Sequence, residues 1–180
     1  MSKFGGWNVD VPRDKMPQKV ATAVGNLNEL FGAGYEFKAY LGEQEVNGIN
    51  RAVLCEQTVY SGKDTKNAVV VIFNEKPGVI DASLVDIHRI VEAGGPLGGT
   101  QVAITDQIPE EAKEAFEAAK AGFVGSNIVP FIFIGTKIVK GAEYKFLAEM
   151  SAVVPGAEKY LVLLTVNSLS KKMTFEPVLE

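Results

Sequence analysis

The 180-residue chain contains one cysteine, one histidine and one tryptophan, and it has no long hydrophobic run. A lone Cys55 excludes an intramolecular disulfide, and one cysteine with one histidine cannot complete a structural zinc site. The longest apolar run, 68–73, is far too short to span a bilayer, and the first residues lack the apolar segment of a secretory signal. These absences predict a soluble, cytoplasmic protein with no membrane partner and no metal.

Positive charge is also in deficit, because 18 Lys and Arg residues stand against 22 Asp and Glu residues, for a formal net charge of −4. A nucleic-acid backbone requires the opposite balance, and no basic stripe compensates for it, so no nucleic-acid partner is expected. Apolar residues make up 47% of the chain and charged residues 22%, which is enough apolar material for a sizeable core.

The two halves of the chain repeat each other at an offset of 93 residues, and at 92 over one stretch. Such self-similarity indicates a tandem duplication. The seam at 93–97 is rich in glycine and proline, which is typical of a linker, and it predicts domains at 1–92 and 98–180. The matched pairs include Gly5/Gly98, Gly6/Gly99, Asp14/Asp106, Pro17/Pro109, Gly42/Gly135, Val46/Val139, Gly48/Gly141, Glu56/Glu149, Lys66/Lys159 and Asn74/Asn167.

One helix is predicted in each half. Apolar residues recur at steps of three and four over 16–31 and again over 108–123, which predicts two long helices. Asp14 and Asp106 are the predicted N-caps, with a proline in each first turn. In the first half, two nearby glycines, Gly32 and Gly34, are expected to end the helix.

After each helix the apolar period changes to two, which predicts antiparallel strands. One helix and one sheet bury each other's apolar sides, so the fold class is α+β: two repeats, each a long helix packed across a meandering antiparallel sheet. The predicted strands are 35–45, 49–60, 66–74 and 79–87 in the first half and 128–137, 142–153, 159–167 and 172–179 in the second, with short strands at 7–11 and 101–104 before the helices.

The first predicted hairpin carries a recognisable motif. Gln44-Glu45-Val46-Asn47-Gly48 matches the QxVxG pattern of cystatins, and Ile49-Asn50 continues it as in the intracellular stefins. Upstream of the helix stands Gly5-Gly6-Trp7, which is similar to the glycine segment at the start of the stefins. The order of these segments is also that of the family. The chain therefore resembles a tandem pair of cystatin/stefin-like domains.

The resemblance implies reversible, non-covalent inhibition of papain-like cysteine proteases, in which a glycine segment and hairpin loops fill the protease cleft. Glycine lets the two backbones approach without a side-chain clash. The residues expected to contact the protease are Gly5, Gly6, Trp7, Gln44, Glu45, Val46, Asn47, Gly48 and Pro77 in the first repeat and Gly98, Gly99, Val139 and Gly141 in the second.

The second repeat departs from the pattern, because it reads Lys137-Ile138-Val139-Lys140-Gly141, with lysine in place of glutamine. The loops at 74–78 and 168–171 also lack the Pro-Trp of secreted cystatins. A non-inhibitory protein-interaction or structural module of the same fold is therefore the alternative hypothesis. Trp7 has two interpretations, as a contact residue or as a core residue.

No enzyme, catalytic residue or cofactor is predicted. Cys55 aligns with Ala148 on the predicted core face, and His88 has no counterpart in the second repeat. Glu56 and Glu149 recur, but as expected solvent-facing residues in the middle of strands. An enzyme would instead require a polar, concave sheet face with several carboxylates or tyrosines.

Overall fold

The computed structural model describes residues 6–30, 32–94 and 99–180, which form two compact units: 1–92 together with Glu180, and 93–179. Each unit is one antiparallel sheet with one short helix, so the α+β class is confirmed. Unit 1 contains α1 (Gln18–Leu27), β1 (Ala33–Glu45), β2 (Ile49–Val59), β3 (Thr65–Glu75) and β4 (Ser83–Val91). Unit 2 contains β5 (Thr100–Thr105), α2 (Glu110–Lys120), β6 (Ser126–Val139), β7 (Gly141–Ala152), β8 (Tyr160–Asn167) and β9 (Met173–Pro177).

Both sheets are meanders whose strands follow one another in chain order, β1-β2-β3-β4 and β5-β6-β7-β8-β9. The extra strand of unit 2, β5, pairs with β6. At the corresponding place in unit 1, the described residues form one backbone bridge, from Asn8 to Glu43, where the sequence predicts a short strand.

The predicted long helices are wrong, because α1 has 10 residues and α2 has 11. Each begins after a proline, Pro17 or Pro109, whose extended backbone makes it the N-cap residue, and neither cap is stabilised by a side chain. Asp14 and Asp106 are therefore not the caps. The helix α1 also ends before the predicted glycines, because the Asn28 amide hydrogen-bonds both the N–H (2.6 Å) and the carbonyl (2.9 Å) of Tyr35 and turns the chain into β1.

The apolar stripe of each helix packs on one face of its own sheet. Phe31 of the predicted stripe lies outside the described residues, and Leu30 is 59% exposed because α1 has already ended. Neither described helix is long and apolar enough to cross a membrane. The first core contains Val20, Ala23, Val24, Leu27, Tyr40, Val53, Cys55, Val69, Val71 and Phe73; the second contains Ala112, Phe116, Ala119, Ile128, Phe133, Phe146, Ala148, Met150, Val162, Leu164 and Val166.

Residues matched at the offset of 93 occupy equivalent places in the two sheets. Gly42 and Gly135 each follow the second of two bulges in β1 and β6, and each faces the backbone of the preceding segment so closely that a Cβ atom would collide with it. The carboxylate of Glu56 pairs with Lys66 at 3.2 Å, and that of Glu149 pairs with Lys159 at 3.9 Å. The solvent-facing interpretation of Glu56 is wrong, because the residue is 8% exposed.

Most predicted strands agree with the structure to within two residues at each end. The fourth is displaced, because β4 begins at Ser83 and not at Val79. Pro77 and Gly78, which has a φ of +77°, form a turn closed by a 3.2 Å hydrogen bond from the Val79 N–H to the Lys76 carbonyl. This turn keeps Val79 in the loop.

Candidate contact edge

The QxVxG segment forms the tip of the β1–β2 hairpin. Its turn has positive φ at two successive residues, Asn47 (+44°) and Gly48 (+104°), and the Val46 N–H donates to the Gly48 carbonyl at 3.0 Å. A Cβ atom on Gly48 would collide with the Glu75 carbonyl oxygen. Glycine is therefore required here both by the conformation and by the approach of β3 to the turn.

A ladder of side-chain amides ties this hairpin to β3. The Asn50 amide donates to Gln44 Oε1 at 3.2 Å, and the Asn74 amide donates to Asn50 Oδ1 at 2.8 Å. The same Asn74 amide lies 3.3 Å from the Val46 carbonyl at the turn. The side-chain oxygen of Gln44, which the sequence predicts as a contact group, thus has a partner within the sheet and helps to hold the hairpin.

The loop at 76–82 lies beside the hairpin turn. Lys19 Nζ, on α1, donates to the Val79 carbonyl at 2.8 Å and fastens the loop to the helix. Beyond the turn at Pro77 the loop exposes two aliphatic side chains, Val79 (48% exposed) and Ile80 (85%), and Val46 on the hairpin is 43% exposed. We call residues 44–48 and 76–82 the first tip. Sequence reasoning assigned Val79 and Ile80 to a strand and missed that they are exposed loop residues.

The segment before the helix runs along the outer edge of β1. Asn8 and Glu43 exchange both backbone hydrogen bonds, at 2.8 and 3.0 Å. The bridge is isolated, so it fixes the segment at Asn8, one residue along β1 from Gln44 at the base of the hairpin. Trp7 is half-buried, whereas Gly5 lies outside the described residues. Three of the predicted contact segments are thus neighbours: the described part of the glycine segment, the hairpin and the loop.

An open groove of about 530 Å³ lies between the hairpin, the loop and the start of α1. Its charged groups are balanced, two lysines against two glutamates, so it has no strong preference for one sign of charge. Its lining residues are Lys19, Glu45, Asn47, Gly48, Ile49, Glu75, Lys76 and Pro77.

A charged network supports the first tip from the helix side of the sheet. Arg51 contacts Glu43 at 2.8 Å, Glu75 at 2.7 Å and the Tyr40 hydroxyl at 2.9 Å. Burial lowers the pKa of Arg51, but its hydrogen bonds and charge interactions with Tyr40 and Glu75 outweigh this, so the pKa is raised. Burial also raises the pKa of Tyr40. Arg51 therefore remains charged and joins β1, β2 and β3 just below the tip.

The second repeat builds a comparable tip with other side chains. Gly141 again has positive φ (+87°), and Asn167, the match of Asn74, again reaches the hairpin, through the Lys140 carbonyl at 3.5 Å. Val139 is 36% exposed. Of the predicted glycine contacts, Gly98 lies outside the described residues, and Gly99 is so close to the Gly94 backbone that neither residue can carry a Cβ atom.

The one cysteine and the one histidine of the chain lie in different environments. Cys55 is fully buried in the first core, and burial raises the pKa of its thiol to about 12, so it is not a thiolate at neutral pH. His88 is exposed on β4, where it pairs with Val70. No group of three or more His, Cys, Asp or Glu side chains in the described part of the chain is arranged to hold a metal ion.

No protein-family model matches the chain, and no curated protein matches it.

Proposed function

We propose that the chain is a reversible, non-covalent inhibitor of papain-like cysteine proteases that binds through the first tip and the glycine segment beside it. The observation that carries this proposal is the convergence of three separate segments, 6–8, 44–48 and 76–82, at one edge of unit 1. A structural role for the QxVxG segment alone would not require the neighbouring loop to expose two aliphatic side chains.

The chemistry of such binding follows from the exposed groups. Val46, Val79 and Ile80 stand on two loops that the Asn74 amide and Lys19 hold in place. Burying these exposed aliphatic side chains in a protease cleft stabilises a complex by about 1–2 kcal/mol each. Because the loops are already held, little conformational entropy is lost on docking. A tip that occupies the cleft excludes substrate, so the inhibitor needs no nucleophile of its own.

The second candidate is a non-inhibitory protein-interaction or structural module. Lys137 at the position of Gln44 favours it, since the second hairpin lacks the amide that begins the ladder in the first. Under this candidate the tips still bind protein, but no protease loses activity. The cytoplasmic location stays a prediction from the sequence.

The test is a titration of papain and of a papain-like cathepsin with the intact chain and with two tip variants, Ile80→Asp and Val46→Asp. The intact chain is expected to inhibit at micromolar concentration or below. Each variant should weaken inhibition by about 10-fold or more, equivalent to about 1.4 kcal/mol, because a carboxylate replaces an apolar anchor. These exposed positions are better targets than Gly48, whose substitution would distort the tip itself.

Val124→Asp is the matched control, because Val124 is 89% exposed against 85% for Ile80 and lies outside the first tip. It should leave inhibition unchanged. Full protease activity at micromolar excess of the intact chain would reject the inhibitor proposal. Binding without loss of activity would favour the second candidate.

A further inference from the structure

The loops at the equivalent end of unit 2 are rich in lysine. We call residues 137–141 of the β6–β7 hairpin and residues 168–172 of the following loop the second tip. Lys140, Lys171 and Lys172 are exposed and Lys137 is partly exposed. The sequence of these loops and their flanking residues, 137–143 and 167–173, contains one acidic residue, Glu143, which lies opposite Lys137 in the ladder. The second tip is therefore strongly basic.

Between these lysines the second tip exposes an apolar ridge. Ile138 is 69% exposed, Val139 36% and Leu169 63%. Leu169 belongs to the loop and the other two to the hairpin, yet Leu169 Cβ lies 2.9 Å from the place where a Cβ atom of Gly141 would stand. Leu169 therefore stands beside the hairpin turn, whereas Ile138 and Val139, consecutive residues of β6, point to opposite faces of the hairpin, so the ridge carries apolar side chains on both flanks.

Hydrogen bonds hold the two loops of the ridge together. The Ala142 N–H donates to Ser168 Oγ at 2.9 Å, and the Ser168 N–H donates to the Ala142 carbonyl at 2.8 Å. Asn167 Oδ1 accepts the N–H groups of Leu169 and Ser170, both at 2.9 Å. The ridge is therefore a preformed surface whose side chains need little ordering when it binds.

The first tip differs in charge at the matched positions. Gln44 and Asn47 correspond to Lys137 and Lys140, while Glu45 corresponds to Ile138. Glu75, which borders the first groove, corresponds to Ser168. Over 44–48 and 75–79, four neutral positions are lysines in the second repeat, two glutamates are neutral, and Lys76 is replaced by Leu169.

We propose that the second tip docks into a protein groove with an apolar floor and an acidic rim, so that the two tips of the chain select different partners. The inference rests on the proposed function, since the partner is taken to be a papain-like protease whose cleft rim is acidic. A narrow ridge of three aliphatic side chains fits a groove better than a flat lipid surface, where a larger apolar area is needed. The exposed lysines would accelerate association in a salt-dependent manner.

The experiment uses the full chain with the first tip blocked by Val46→Asp and Ile80→Asp. Its probes are two papain-like proteases, one with a negatively charged cleft rim and one with a positively charged rim. Association and dissociation rates are measured at low and high salt for the blocked chain and for its Lys140→Glu and Ile138→Ser derivatives. Lys113→Glu is the matched control, because Lys113 is an exposed lysine of the same unit on α2 and the charge change is identical.

With the acidic-rimmed protease, Lys140→Glu should slow association by about 5-fold or more at low salt, and the difference should shrink at high salt. Lys113→Glu should change the rate by less than about 2-fold. Ile138→Ser should act mainly on dissociation, raising its rate by about 10-fold, because it removes a contact made after docking. The basic-rimmed protease should bind the blocked chain at least about 10-fold more weakly.

Several outcomes would overturn the inference. If the unblocked chain binds a protease but the blocked chain binds neither, the proposed function stands and the second tip has no such partner. If Lys140→Glu behaves like Lys113→Glu, the lysines do not select the partner. If the intact chain co-sediments with phosphatidylserine-containing vesicles but the Lys140→Glu variant does not, the lysines bind a lipid surface instead. If the unblocked chain binds neither protease, the proposed function fails as well.

Discussion

The two repeats fill the space beneath their tips with opposite chemistry. In unit 1 Arg51 joins two glutamates and the Tyr40 hydroxyl through contacts of 2.7–2.9 Å. In unit 2 the matched positions hold Tyr144 in place of Arg51 and Phe133 in place of Tyr40, with ring centroids 6.4 Å apart. Phe146 adds a third ring, 5.7 Å from Phe133.

The difference teaches that one backbone plan accepts either a polar or an apolar support, but that the two supports fail differently. Removing one member of an ion network is strongly destabilising, because the remaining charges are left half-buried and unpaired. An aromatic cluster loses contact area roughly in proportion to what is removed. Substitutions at matched positions of the two repeats test this contrast directly.

The largest expected effect is on the labelling rate of the Cys55 thiol, which unit 2 lacks because its matched residue is Ala148. Because burial raises the thiol pKa from 9.0 to about 12, the thiolate fraction at about pH 8 is lower by about 1000-fold than in the unfolded chain. A disulfide-exchange reagent should therefore label the native chain at least about 1000-fold more slowly than the urea-unfolded chain. Equal labelling rates would show that the thiol is accessible and not part of the core.

The same shift predicts how stability depends on pH. A pKa raised by folding contributes stability that is fully present below pH 9.0 and is lost as the pH rises toward about 12. Burial also raises the pKa of Tyr40, so its contribution to the free energy of unfolding is likewise lost in the alkaline range. Cys55→Ala, which copies the residue of unit 2, should remove the cysteine part of the alkaline loss in urea unfolding curves recorded across this pH range.

The next largest effect is expected at Arg51. Arg51→Met should lower the free energy of unfolding by about 2–4 kcal/mol, because Glu75, only 14% exposed, is left beside Glu43 without its cation. Tyr144→Leu, at the matched position of unit 2, should cost about 1–2 kcal/mol through lost contact area. Urea unfolding measures both. A smaller loss for Arg51→Met than for Tyr144→Leu would contradict the contrast between the two supports.

A smaller difference in destabilisation is expected between alanine substitutions at the two turn glycines. Gly48→Ala should destabilise the chain by about 2–3 kcal/mol, because the new Cβ meets both a positive φ and the Glu75 carbonyl, a backbone atom that cannot move freely. Gly141→Ala should cost about 1–2 kcal/mol, because the new Cβ meets a similarly positive φ (+87°) but a looser contact, at 2.9 Å from Leu169 Cβ. If thermal or urea unfolding shows the same loss of stability for both variants, the close approach of β3 to Gly48 does not explain the difference expected here.

The smallest difference is expected for the repeated ion pairs. Lys66→Met should cost about 1 kcal/mol, because Glu56 is left with a side chain only 10% exposed. Lys159→Met should cost about 0–0.5 kcal/mol, because Glu149 is 25% exposed and its pair is longer, at 3.9 Å. Both lysines are at least half exposed, so solvent and salt weaken both pairs. A larger loss for Lys159→Met would reverse the order that burial predicts.

The architecture was largely predictable from the sequence, because periods of two and of three to four residues are local signals. The errors arose where side-chain contacts, and not the apolar period, decide a boundary. The helix α1 ends where the Asn28 amide binds the Tyr35 backbone, and Val79 stays in a loop that Lys19 fastens to the helix. The asparagine at the C-cap of α1 is a local signal that the apolar period does not register, whereas the contact of Val79 with Lys19 joins residues 60 positions apart.

The candidate site was predictable only in part. The hairpin motif identified the turn at Gly48, and the repeat drew attention to Asn74 without indicating its role. That role depends on three strands lying side by side, which brings Asn74 to Asn50 and to the Val46 carbonyl. Ile80 was missed because two adjacent aliphatic residues resemble the start of a strand, and only its 85% exposure distinguishes it.

The central claim is that the first tip is the surface that contacts a protease, and hydrogen–deuterium exchange of the intact chain with and without papain tests it most directly. The account predicts slower exchange on binding at the amides of 44–48 and 76–82, with no change in α1 beyond its first turn or in β4. Protection confined to other segments of unit 1, or no protection at saturating papain, would contradict it.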